Sequence, residues 1–143
     1  MSASPDAPPI DGSDIANYGT VTGTDKWWND AKVSGYPKGQ TFTTGTTEVT
    51  LNAITYQVTS SQKAEPTKTY VIRVGTVDVS AATFTEIYSE TATQNFLWAG
   101  GEYMTWTFDT PVLLAPNTEY GIDVGMTSST SGWRTGIPYI NRT

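Results

Sequence analysis

The stretch TEVTLNAITYQVTS, residues 47–60, alternates apolar and polar side chains along most of its length. Successive residues of a β-strand point to opposite faces of the sheet, so this period predicts a strand with one face in a core. The alternation changes phase near Asn52–Ala53, and a slip of one residue predicts a β-bulge at that point. The apolar residues that we assign to the inner face are Val49, Leu51, Ile54, Tyr56 and Val58.

Three further stretches repeat this two-residue period, and turn-forming residues separate the strands. The stretches are KTYVIRVGTV (68–77), EYMTWTFDT (102–110) and NTEYGIDVGMT (117–127). Their predicted inner residues are Tyr70, Ile72, Val74, Met104, Trp106, Phe108, Tyr120, Ile122, Val124 and Met126. Clusters of Gly, Pro, Ser and Asn fill residues 60–67, 95–101, 114–118 and 128–132. This pattern predicts an all-β protein with almost no helix, folded as an antiparallel β-sandwich or barrel.

A length of 143 residues is that of a single domain. The first residues, MSASPDAPPIDGS, are rich in Pro, Ser, Ala and Asp and offer little apolar surface to bury. We therefore expect residues 1–14 to be a flexible linker or an artificial leading arm, and residues 15–143 to form one β-sandwich domain.

The composition excludes several classes of function. The net charge is −6, with eight basic residues scattered along the chain, which argues against binding to nucleic acid or to an anionic membrane. The chain has no cysteine and no histidine, so disulfides, thiolate metal sites and Ser-His-Asp or Cys-His catalysis are excluded. No apolar run is long enough to span a bilayer. The charged residues make up 15% of the chain, and this polar but largely neutral composition is common in secreted β-proteins.

The tryptophans outside the predicted core are the residues that call for a functional explanation. Trp27 and Trp28 are adjacent in TDKWWND, while Trp98 and Trp133 stand in or beside turns. On a strand the adjacent pair would face opposite sides of the sheet, whereas a loop could expose both. We predict Trp27 inward and Trp28 outward. Loops gather at the ends of a sandwich, so tryptophans that are distant in sequence can converge on one surface.

An exposed aromatic ring suits a sugar, because the apolar C–H face of a pyranose stacks on it while polar side chains bind the hydroxyls. We predict a carbohydrate site on the indoles of Trp28, Trp98 and Trp133, helped by Trp27 or Tyr36. The polar residues beside these aromatics are Asn29, Asp30, Asn95, Glu102 and Arg134. In the alternative interpretation, the tryptophans cover the ends of the sandwich as hydrophobic plugs.

Catalytic and metal-binding readings find less support in the sequence. A glycosidase needs two carboxylates that face each other across a cleft, and no motif singles out such a pair. Glu86 and Glu90, in TEIYSE, share a strand face at best. We therefore predict no enzyme activity and no required cofactor. The alternative of a structural calcium ion bound by oxygen ligands is kept, although the chain has no EF-hand spacing. The candidate ligands are Asp25, Asn29, Asp30 and Asp123.

The segments YPKGQTFTTG, VTLNAITYQV, TYVIRVGTV and EYMTWTFDTPVLLAPNTEYGIDVG together resemble the jelly-roll β-sandwich modules of large secreted bacterial proteins that degrade polysaccharides. The resemblance covers about residues 36–126. It implies a jelly-roll topology and a secreted, noncatalytic carbohydrate-binding module that keeps a tethered catalytic domain near its polysaccharide. We expect that polysaccharide to be a plant or algal cell-wall glycan. Two alternatives are a structural or adhesive domain of a cell-surface protein and a small polysaccharide lyase or hydrolase.

Overall fold

The computed structural model describes residues 2–4, 6, 23–28, 38–57, 68–94, 103–128 and 134–139, and in them the regular structure is entirely β-strand. In chain order the strands are β1 (Ser2–Ser4), β2 (Gly23–Trp28), β3 (Lys38–Thr43), β4 (Val49–Gln57), β5 (Lys68–Asp78), β6 (Thr83–Gln94), β7 (Tyr103–Leu114), β8 (Glu119–Ser128) and β9 (Arg134–Tyr139). Within these ranges, no helix is long and apolar enough to cross a bilayer.

The strands form three antiparallel sheets. Their strand orders are β1-β7-β4, β2-β9 and β3-β8-β5-β6. The prediction of an all-β antiparallel protein is confirmed, and the arrangement is sandwich-like. The jelly-roll topology is not confirmed and stays a prediction.

The core lies between the four-stranded sheet and the three-stranded sheet. Strands β5 and β8 contribute one side of it and β7 the other. Its buried members are Tyr70, Ile72, Val74, Trp106, Phe108, Val112, Leu114, Tyr120, Ile122 and Val124, with Phe42, Val49, Leu51, Ile54, Tyr56 and Tyr88 packed against them. The predicted inner faces of these strands are therefore confirmed for the residues whose side chains the structure describes, and Trp106, 2% exposed, belongs to the core as predicted.

The bulge predicted at Asn52–Ala53 is confirmed by the pairing of β4 with β7. Leu51 pairs with Val112 and Ala53 pairs with Thr107, so a single residue of β4 faces residues 108–111 of β7. The greater part of the irregularity thus lies in β7, which leaves the β4 ladder over this segment. Backbone N–H groups that leave a ladder need other acceptors, since an unpaired buried group costs free energy.

The side chains of β6 supply these acceptors. Glu90 lies opposite Ile72, on the side of the four-stranded sheet that faces the core. Its carboxylate accepts hydrogen bonds from the indole Nε1 of Trp106, from the Tyr88 hydroxyl at 2.5 Å and from the backbone N–H of Asp109 at 3.0 Å. One carboxylate thereby joins the edge of the four-stranded sheet to the middle strand of the opposite sheet.

Tyr88 extends the same connection by one residue. The Thr110 N–H donates to the Tyr88 hydroxyl over 3.4 Å, and the next residue of β7, Pro111, has no N–H to satisfy. The hydrogen bond that Tyr88 donates to Glu90 raises the pKa of its hydroxyl, so Tyr88 stays protonated and remains a donor at neutral pH.

The turn predicted at 114–118 is confirmed between β7 and β8, and a buried threonine holds it to the loop after β3. The Thr44 hydroxyl donates to the carbonyl of Ala115 at 2.7 Å and accepts from the N–H of Thr118 at 2.9 Å. Asn117 has a φ of 51°, a left-handed conformation that asparagine tolerates well.

The predicted leading arm lies mostly outside the described residues. Ser2–Ser4, within the predicted leading arm, form β1 and pair with Tyr103–Thr105 of β7. Residues 1, 5 and 7–22 lie outside the described residues, so the predicted boundary between residues 14 and 15 stays a prediction.

The structure predicts that Glu90→Ala destabilises the fold by about 2–3 kcal/mol, because donors of Trp106 and of the β7 backbone lose a charged acceptor. Urea unfolding of the variant and the wild type measures the difference. Glu86→Ala, on the same strand but exposed to solvent, is the matched control and should change stability by less than about 0.5 kcal/mol. Equal effects of the two substitutions would contradict this role of Glu90.

Candidate functional site

The outer face of the four-stranded sheet carries a shallow groove of about 380 Å³. Thr41 of β3 lies on one side, and Val77 of β5 and Phe84 of β6 lie on the other. Gly121 of β8 forms part of the lining between them. The groove exists because a glycine occupies the strand between two rows of larger side chains.

Phe84 lies across this face over two glycines. A Cβ atom built on Gly75 would come within 2.6 Å of Cζ of Phe84 and within 2.5 Å of the Thr85 carbonyl oxygen. A Cβ on Gly121 would be 3.4 Å from Cε2 of the same ring and 2.9 Å from a methyl group of Val77. The half-buried Phe84 ring can therefore approach the sheet because Gly75 has no side chain, while the absence of a side chain at Gly121 makes room for Val77.

Arg73 and Asp123 form a bidentate ion pair beside the groove. The Arg73 Nε is 2.8 Å from Oδ1 of Asp123, and its Nη2 is 2.5 Å from Oδ2. The Asp123 carboxylate raises the pKa of Arg73. The guanidinium carbon lies 5.1 Å from the centroid of the Phe84 ring, within the range of a cation–π interaction. Aromatic, cationic and anionic groups thus share a small area of this face.

Asp123 was one of the predicted calcium ligands, and the structure gives its carboxylate a different partner. Both of its oxygens contact Arg73, so a cation would have to displace that ion pair. Among the described residues, no group of three acidic side chains has the spacing of a metal site. Asp25 lies in β2, whereas Asn29 and Asp30 lie outside the described residues.

The expectation that Glu86 and Glu90 share a strand face is wrong. The register of β5 and β6 shifts between Val74 and Gly75, so that Tyr88 pairs with Val74 and Glu86 with Gly75. This bulge leaves Ile87 without a partner and turns Glu86 to the outer face, while Glu90 faces the core. The two carboxylates therefore do not face each other across a cleft, as a glycosidase pair would have to.

The two-stranded sheet brings together two of the predicted binding residues. Trp28 pairs directly with Arg134, and Trp27 pairs with Thr135. For this sheet the description is of the backbone. Directly opposed residues of an antiparallel pair belong to the same face, and successive residues belong to opposite faces. The question left open by the sequence is thus settled in favour of a strand, and Trp27 and Trp28 occupy opposite faces of it.

The remaining predicted site residues fall outside the part of the chain that the structure describes. They are Asn29, Asp30, Tyr36, Asn95, Trp98, Glu102 and Trp133. Their convergence with Trp28 stays a prediction, as does the outward orientation of Trp28.

Sequence reasoning missed Phe84 and the ion pair between Arg73 and Asp123. The outward orientation of both charged residues could have been predicted, because each lies between two buried positions of its strand. Only the pairing of β5 with β8 puts Arg73 opposite Asp123, and no local pattern states which strands pair.

Comparison with known proteins identifies no relative: no family model, no curated protein and no solved structure matches the chain. The likeness to secreted polysaccharide-binding modules is thus supported only at the level of antiparallel sheets in an all-β protein.

The contacts of Phe84 predict that Gly75→Ala destabilises the protein by about 1–3 kcal/mol, because the new methyl group meets a carbonyl oxygen that cannot move independently of the sheet. Thermal and urea unfolding measure the loss. The matched control is Gly45→Ala, since a Cβ at Gly45 meets no atom within 4 Å. If the two variants were equally stable, the close approach of Phe84 and β6 to Gly75 would be refuted.

Proposed function

We propose that this protein is a noncatalytic carbohydrate-binding domain that binds a polysaccharide through Trp28 and the residues around it. The observation that carries the proposal is the direct pairing of Trp28 with Arg134. An indole offers a stacking surface for the apolar face of a pyranose, and a guanidinium offers up to five donors for sugar oxygens. The two residue types that the chemistry needs are neighbours in space although they are far apart in sequence.

Chain connectivity adds to this support. Asn29 follows Trp28 directly, and Trp133 precedes Arg134 directly. Trp28 is the last residue of β2 and Arg134 is the first residue of β9, so the pair lies at one end of the two-stranded sheet. A second indole and a side-chain amide are therefore covalently attached to the end of the sheet where the pair lies.

The biological setting belongs to the same proposal. A binding domain raises the local concentration of substrate around an attached enzyme and needs no acid–base machinery of its own. The domain would work outside the cell, beside a tethered catalytic domain, on a plant or algal cell-wall glycan. The jelly-roll topology and the relationship to secreted bacterial modules are part of this proposal as well.

Two alternative functions predict different behaviour. A structural or adhesive domain would bind no glycan, and its tryptophans would matter for stability alone. A small lyase or hydrolase would release products from a polysaccharide, and one Asp or Glu substitution would abolish that release. In the described residues, Glu90 accepts a hydrogen bond from Trp106 and Asp123 forms an ion pair with Arg73. Each of these two carboxylates therefore already has a structural partner.

A pull-down on insoluble polysaccharides combined with a soluble-glycan screen tests the proposal. We expect the wild type to bind at least one glycan, and Trp28→Ala to bind it at least about tenfold more weakly, as for an aromatic residue central to an interface. Trp98→Ala and Trp133→Ala should weaken binding in the same direction. Each variant must keep the unfolding midpoint of the wild type.

Phe84→Leu is the control, because it removes an aromatic ring from a different sheet and keeps an apolar side chain at that position. Its binding should equal that of the wild type. If no glycan binds, the proposed function is wrong. If a glycan binds and all three tryptophan variants bind it like the wild type, the proposed site is wrong.

A further inference from the structure

The two-stranded sheet separates its charged residues by face. Among residues 23–28 and 134–139 the charged residues are Asp25, Lys26 and Arg134. Lys26 is two positions from Trp28 and so lies on the same face, and Arg134 is directly opposite Trp28. Asp25 belongs to the other face, with Trp27. The face of Trp28 thus carries both cations and no carboxylate.

The opposite face has a different composition. Asp25 pairs with Ile137, Trp27 pairs with Thr135, and Gly23 pairs with Tyr139. Three of its six residues, Trp27, Ile137 and Tyr139, are aromatic or aliphatic, which is the pattern of a surface that packs against other elements. Strand β2 runs near β8, and β9 runs near β4. By composition, the face of Lys26, Trp28 and Arg134 is then the one that a ligand could reach.

This pair of cations is unusual for the chain in which it occurs. The protein has 14 acidic residues and eight basic ones, and its net charge is −6. Two of those eight basic residues flank one tryptophan on a sheet that has six residues in each strand. Solubility does not require such a cluster, and a neutral glycan would gain little from it.

We propose that the face formed by Lys26, Trp28 and Arg134 selects an acidic polysaccharide, one whose pyranose rings carry carboxylates; this inference rests on the proposed function. The indole would stack on the sugar ring. Arginine matches the planar geometry of a carboxylate with two parallel hydrogen bonds, and lysine, two positions along β2 from the tryptophan, adds a compact positive charge to the same face.

A nucleic acid is a poorer fit to the same face. Duplex DNA carries one negative charge per about 1.7 Å of its axis, and its binding needs many phosphate contacts. An acidic protein with two clustered cations would be repelled by such a polymer over most of its surface. A uronic acid polymer has a single carboxylate on each ring, so two cations can match it locally.

The test uses pairs of polymers that share a backbone sugar and differ in whether they carry ionised carboxylates. Polygalacturonate is compared with its methyl ester, glucuronoxylan with linear xylan, and carboxymethyl cellulose with hydroxyethyl cellulose, by affinity electrophoresis and calorimetry. We expect binding to at least one acidic member, at least about tenfold weaker binding to its neutral counterpart, and weaker binding as salt screens the charges. Equal binding to both members of every pair, or binding to neutral glycans alone, would overturn the inference while leaving the proposed function intact. Binding to no glycan at all would overturn both.

Two substitutions test the residues. Lys26→Gln and Arg134→Gln should each weaken binding to the acidic polymer by about tenfold, a loss typical of one charged hydrogen bond. Their affinity for the neutral counterpart should fall much less than their affinity for the acidic polymer, whereas a merely structural defect would weaken both alike. Lys68→Gln, in β5, is the matched control and should bind like the wild type. If the control lost as much affinity as the two variants, net charge rather than this face would be responsible and the inference would fail.

Discussion

The two large sheets are tied together where strand β7 leaves its pairing with β4, because the Glu90 carboxylate of β6 accepts hydrogen bonds from β7 at that point. A strand that breaks its ladder leaves donors without acceptors, and here Glu90 and Tyr88 accept from Asp109, Thr110 and the Trp106 indole. The core closes around this point, because Trp106 and Phe108 belong to the same strand segment. The packing of the two sheets therefore depends on this group of hydrogen bonds as well as on the burial of apolar side chains.

The outer face of the four-stranded sheet depends instead on positions that have no side chain. Gly75 lets Phe84 lie against the sheet, and the ring lies near the ion pair of Arg73 with Asp123. The face is thus occupied by contacts of its own. The two-stranded sheet differs, since its register puts Lys26 and Arg134 on the face of Trp28, and for this reason we propose the glycan site there.

The strands with a regular apolar period could be predicted from sequence, including the phase change at Asn52 in β4 that marks the bulge. Strand β6 could not, since a register shift at Ile87 and an inward-facing acid at Glu90 both disturb its period. The site shows the same division. Local pattern identified Trp28 and Arg134 as candidates, but their pairing depends on which strands associate, and periodicity carries no information about that choice.

Nuclear magnetic resonance of the indole N–H groups tests the central claim most directly, because the chain has five tryptophans and each gives its own signal. Titration with an acidic oligosaccharide that binds should shift the indole signal of Trp28, assigned with Trp28→Phe, while the signal of Trp106 stays in place inside the core. A bound oligosaccharide that leaves the Trp28 signal unchanged would contradict the account.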